Sequence, residues 1–128
     1  MTNKTGATTV ANITDSLAEL MKIDGAMGCF VADYTSGMML AKNGGGIDLE
    51  LAAAGNTEVI RAKMKVMSML GIKDSIEDML ITLGTQFHII RPSSTKPGLF
   101  LYIVLDKSKS NLAMARFKLT EVEKSLAI

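Results

Sequence analysis

The chain has 128 residues, 48% hydrophobic and 21% charged, with a formal net charge of +1; that length suits one domain with a buried core, and the composition is not that of a disordered segment. Acids and bases are interspersed, which argues against a dedicated nucleic-acid binder, and no apolar run reaches the length of a membrane span. The opening stretch MTNKTGATTVANITDS lacks the apolar core of a secretory signal, and the single cysteine, Cys29, cannot form an internal disulfide, so a reducing, cytoplasmic setting is expected.

Residues Met1 to Thr8 are small and polar, and are expected to fray. Val10, Ile13, Leu17, Leu20 and Met21 then recur at helical spacing. They predict a first amphipathic helix ending near Asp24-Gly25, where glycine can take the left-handed conformation that stops a helix. Ala26 to Asp33 (AMGCFVAD) is apolar nearly throughout, as a strand covered on both faces would be. Tyr34-Thr35-Ser36-Gly37 reads as a turn, and Met38 to Lys42 as the returning strand of a hairpin. Asn43-Gly44-Gly45-Gly46 is a flexible break before an N-cap at Asp48.

The next helix is predicted over Leu49 to Leu70, roughly 33 Å long, with Gly71 as its stop. Strands are expected at Ile76–Leu83, Gln86–Arg91 and Leu99–Asp106, the last being the most apolar and therefore the sheet centre. Pro92 to Gly98 is a turn-rich loop. A final helix capped by Ser108 or Ser110 carries an apolar stripe of Leu112, Ala115, Leu119, Val122 and Leu126. Arg116, Lys118, Glu121 and Lys124 fall off that stripe and should face water. Hairpins on either side of a crossing helix are most simply built as an antiparallel five-stranded sheet with helices on its faces.

The long helix is apolar on too many sides. Leu49, Ala53, Ile60, Met64 and Met67 form one line. Leu51, Gly55, Val59, Ala62, Val66 and Met69 form a second. Glu50, Thr57, Glu58, Arg61, Lys65 and Ser68 fill the polar sector. A surface helix needs one stripe about 100° wide, and this helix has roughly twice that. One line can cover the sheet; the other needs another helix of the same chain or a second subunit. Gly55 beside Ala52, Ala53 and Ala54 makes a flat patch that lets another backbone come close. The pattern points to association.

The chemical inventory is thin. His88 is the single histidine, and alternation puts it with Ile90 on the strand face opposite Phe87 and Ile89. A nucleophile–base pair needs partners that the sequence does not supply. Cys29 lies in an apolar strand, where a thiol is normally inert. No Cys/His set has zinc spacing, and the glycines at 44–46 lack the Lys-Ser/Thr end of a phosphate loop. No catalytic residue, cofactor or metal ligand is therefore assigned. Ten methionines suit adaptable packing and are read first as core.

Leu17, Leu20, Asp24-Gly25-Ala26 and Gly28, followed by Asp33, Ser36-Gly37 and Leu40-Ala41, form a pattern that resembles the roadblock/dynein light-chain family. The helix AAAGNTEVIRAK is similar to the central helix of its small bacterial members. The likeness in element order runs from Val10 to Leu126. The chain departs from the family in its short N-terminus and methionine-rich helix.

The resemblance implies an α/β, profilin-like (roadblock) fold, a five-stranded antiparallel sheet flanked by a long central helix and N- and C-terminal helices. It would divide the chain into a flexible N-terminus at 1–9 and a single domain at 10–128. It also implies a homodimer in which central helices pack together and the strand after that helix extends the sheet across subunits. The interface residues so implied are Ala52, Gly55, Val59, Ala62, Val66 and Met69 on the helix, and Ile76, Met79 and Ile81 on the strand. Relatives act without catalysis on small Ras-like GTPases, which would place a partner platform at Glu58, Arg61 and Lys65. Two other functions fit the pattern: a small-molecule sensor with Met27, Met38, Met39 and Met79 lining a cup, and a pure assembly scaffold.

Overall fold

A computed structural model describes the backbone of residues 4–126 and the side chains of residues 12–126. Residues 1–3, part of the stretch expected to be flexible, lie outside the described residues. The first helix, α1 (Lys4–Leu20), opens before the expected Val10 and stops earlier than Asp24. Gly25 still takes a positive φ of 85°, but for a different reason. Its carbonyl accepts the Asp106 N–H at 2.7 Å, and a Cβ there would collide with the Ser110 hydroxyl and the Asp106 carbonyl.

Strands β1 (Ala26–Asp33) and β2 (Met38–Gly44) form the expected hairpin. Strand β2 runs two residues further than expected, because Asn43 and Gly44 pair with Cys29 and Gly28. Val31 faces Ala41 while Ala32 faces Met39, which leaves Leu40 as a bulge. The extra residue sends Met39 and Ala41 to opposite faces although they are two apart.

Helix α2 (Leu49–Met69) starts where Asp48 Oδ1 accepts the Leu51 N–H at 3.1 Å and ends before Gly71, at φ 72°. Strand β3 is shorter than expected: Met79–Thr82, not Ile76–Leu83. The Arg116 guanidinium grips the Asp78 carboxylate through two bonds of 2.6 and 3.0 Å and ties it to the last helix rather than to the ladder. Strands β4 (Gln86–Pro92) and β5 (Leu99–Asp106) follow. A 3-10 turn (Lys107–Lys109) is capped by Asp106, and α3 (Leu112–Ser125) by Asn111, whose Oδ1 accepts the Met114 N–H at 3.0 Å. Neither serine caps α3; the Ser110 hydroxyl donates to the Asp106 carbonyl instead.

The sheet order is β2-β1-β5-β4-β3, antiparallel throughout, with β5 at the centre as expected. Helices α1 and α3 cover one face, where Ile13, Leu17, Val31, Leu101, Ile103 and Leu119 are buried. Helix α2 covers the other, packing over β1 and β2. There Phe30 stacks on Tyr102 with ring centroids 4.7 Å apart and meets Phe100 edge-on at 5.7 Å, both favourable ring geometries. Cover on both faces is why β1 and β5 read as unbroken apolar runs.

Met27, Met39 and Met79 pack against this aromatic cluster, and Met38 is exposed. Three of the four methionines expected to line a small-molecule cup thus pack into the core, and the fourth faces outward.

Candidate association surface

On α2, Leu49, Ala53, Thr57 and Ile60 face the sheet and are buried. Residue type alone puts Thr57 in the polar sector; its hydroxyl instead donates to the Ala53 carbonyl at 2.8 Å. That bond satisfies the polar atom locally and leaves the methyl to pack. Its spacing, four after Ala53 and three before Ile60, was the available signal.

The second apolar line lies on the far side of the helix and, among the described residues, no element of this chain covers it. Leu51 is 69% exposed, Met69 75%, Val66 43% and Val59 39%. Gly55 and Ala62 are exposed between them. A Cβ built on Gly55 meets nothing within 4 Å. Ala52 differs from the expectation: it is half-buried against the Phe30 cluster and belongs to the inner face.

The strand residues expected in the interface are divided. Ile81 is 37% exposed on β3 and Met79 is half-buried on the α2 side of the sheet. Ile76 lies outside the strand, half-buried in the connector between α2 and β3.

The two sheet edges differ in kind. Edge strand β2 carries a bulge at Leu40 and the charged Lys42, which pairs with Glu50 at 2.8 Å. Both are devices that discourage strand addition. Edge strand β3 (MLIT) has regular pairing and no charge or proline; its shortness is its protection.

Of the expected platform residues, Lys65 is exposed on the rim of the apolar line. Glu58 is exposed and pairs with Arg61 at 3.2 Å. Arg61 has a second task. Its Nε and Nη2 donate to the Tyr34 and Thr35 carbonyls, each at 2.8 Å, so it clamps α2 to the β1–β2 turn. Arg61→Ala is expected to cost about 1 kcal/mol of stability, the scale of partly exposed hydrogen bonds. Urea denaturation measures it, and an unchanged midpoint would refute the clamp.

The titratable residues of the core are tied into packing. His88 Nε2 lies 2.8 Å from Gln86 Oε1 and Nδ1 lies 3.0 Å from the Tyr102 hydroxyl. Burial lowers the His88 pKa and pushes that of Tyr102 up to about 12. Burial also pushes the Cys29 thiol up to about 12; its Sγ faces the Leu17 carbonyl at 3.7 Å. A thiol reagent at pH 8 is expected to modify Cys29 at the rate of unfolding and no faster. Among the described residues, no three His, Cys, Asp or Glu side chains gather where they could hold a metal ion.

Two features escaped the sequence reading. Arg91 and Glu123 form a buried ion pair at 2.8 Å, with side-chain exposures of 10% and 0%. Met114 and Phe117 are exposed on the outer side of α3. Arg116 and Lys118, expected to face water, hold Asp78 and Glu19.

No protein-family model matches the sequence, and no curated protein matches it. Solved structures do match. The chain is similar to the gliding protein MglB from Thermus thermophilus, with a TM-score of 0.80 over 93% of this chain and 88% of that one, at 15% identity. It is similar to Myxococcus xanthus MglB, with a TM-score of 0.75 over 88% and 92% at 16% identity. A Roadblock/LC7 domain from Streptomyces avermitilis gives 0.74 over 87% and 91% at 11% identity. The expected architecture is the observed one: the chain has the roadblock/LC7 fold, with three α-helices and a five-stranded antiparallel sheet among the described residues. Among the described residues no helix is long and apolar enough to cross a membrane.

Proposed function

We propose that the protein is a noncatalytic homodimer of the cytoplasm that binds a small Ras-like GTPase and modulates it. The observation that carries this reading is the outer line of α2, which runs from Leu51 to Met69 and leaves large apolar side chains in water. Contiguous exposed apolar surface marks an interaction site. A second copy of the same helix supplies the matching line by symmetry. The β3 edge, short but regular and without charge or proline, supports extension of the sheet across the dimer, whereas the bulged, charged β2 edge opposes extension on the other side.

The GTPase rests on the roadblock resemblance, supported by likeness in fold to two MglB structures. Paired central helices would present Glu58 and Lys65 on the rims of the joined apolar surface, where polar contacts set specificity. The chain would act by positioning the GTPase's own groups.

Light scattering should give twice the chain mass at micromolar concentration. Capture of a candidate GTPase loaded with GDP or with a GTP analogue, followed by its hydrolysis rate, tests the second half. Failure to bind in either nucleotide state would remove the GTPase and leave the dimer standing; a monomer at high micromolar concentration would remove both.

A further inference from the structure

A cavity of about 590 Å³ lies on the sheet side of α2, facing away from the outer line. It is bounded by the C-terminal half of α2, the connector to β3, the start of the β4–β5 loop and the end of α3. Its volume sits within the range of ligand pockets, about 300–1,000 Å³.

The wall built from β4 and α3 carries Arg91 and Lys124. Arg91 is held rigidly, because its Nε donates to Glu123 Oε1 at 2.8 Å while the side chain is 10% exposed. That bond spends one of the several N–H donors of a guanidinium. The connector wall carries Asp74 and Glu77, both exposed. Met64, Met67 and Ile76 supply apolar surface between them.

We infer that this cavity binds a short apolar peptide with free termini, two or three residues long. Its carboxylate would meet Arg91 and Lys124 through charge-assisted hydrogen bonds. Its ammonium would meet Asp74 and Glu77, and its side chains the methionine and isoleucine surface. With Glu123 offsetting Arg91, the remaining lining charges are two acids against Lys124, which disfavours a phosphate or other simple anion. The methionines adapt to different apolar side chains, so selectivity falls on the two termini.

Calorimetry on the full chain with trileucine tests this, against the same peptide N-acetylated or C-amidated. The free peptide should bind, and either block should weaken binding tenfold or more. Asp74→Asn with Glu77→Gln should remove the sensitivity to acetylation, and Lys124→Gln should weaken the unblocked peptide several-fold. These exposed positions leave the Arg91–Glu123 pair intact, so circular dichroism should show an unchanged fold. No binding at millimolar peptide, equal binding of the blocked peptides, or indifference to all three substitutions would each overturn the site. None of these substitutions touches the outer line of α2, so the mass in solution reports on the dimer separately.

Discussion

Glu123→Ala is expected to cost about 3–5 kcal/mol of folding stability, the loss typical of a buried ion pair stripped of one partner. Glu123 is fully buried and answers three donors. Arg91 Nε binds one carboxylate oxygen at 2.8 Å, while the Ser94 N–H and hydroxyl bind the other at 2.9 and 2.8 Å. Removing the carboxylate leaves Arg91 charged and nine-tenths buried. The Ser94 N–H, which anchors the β4–β5 loop, loses its acceptor too. Arg91→Met with Glu123→Leu should recover much of the loss, since replacing a whole buried pair by apolar groups is often neutral or better. Urea unfolding of the two variants and the wild type measures both effects. A single variant within about 0.5 kcal/mol of wild type would show the pair to be solvated.

The same pair sets a pH dependence. Burial opposes ionisation of Glu123, but the Ser94 N–H, the Arg91 guanidinium and the Ser94 hydroxyl outweigh it and hold the carboxyl below its ordinary value of 4.5. A carboxyl depressed in the folded state contributes stability that is fully present above its unfolded value. That contribution is lost as pH falls through the lower folded value. Wild-type stability should therefore fall below about pH 4.5, and the Arg91→Met/Glu123→Leu variant should fall less steeply over the same range.

What depends on local pattern is legible in the sequence. Asp48 and Gly71 mark the ends of α2 because a cap and a left-handed glycine act within a few residues of themselves. Strand β5 reads as the central strand because cover on both faces leaves an unbroken apolar run. The outer line of α2 is visible as excess apolar circumference, and no element among the described residues covers it. Apart from the α3 cap and Thr57, which are local, the main failures involve partners distant along the chain. Ile76 drops out of β3 beside Asp78, which Arg116 holds from 38 residues away. Arg61 is expected on an exposed partner platform, yet it serves carbonyls 26 and 27 residues back. The Arg91–Glu123 pair spans 32 residues. One hint was there: alternation from Phe87 through Ile89 turns Arg91 inward, and an inward arginine needs an acid.

Gly55→Leu is expected to move subunit stability and self-association in opposite directions. In a single subunit the new side chain enters open space, since a Cβ at Gly55 meets nothing within 4 Å. Exchanging a mid-helix glycine for leucine then gains roughly 0.8 kcal/mol of helix propensity. In the proposed dimer Gly55 lies within the facing line, where a backbone comes close, and filling such a contact costs about 1–3 kcal/mol. Two-fold symmetry introduces the change in both copies. Counted in both copies, even the lower figure totals about 2 kcal/mol, so at about 1.4 kcal/mol per tenfold the dissociation constant should rise about thirtyfold or more. Gly55→Ala adds most of the propensity with little bulk, and should stabilise the subunit while disturbing association less. Sedimentation velocity across a dilution series, with thermal unfolding below the dissociation constant, separates the two quantities. A leucine variant that unfolds later and still associates as tightly as the wild type would move the contact away from Gly55. The two most exposed large apolar residues of the same line, Leu51 and Met69, would then be the next positions to substitute with aspartate.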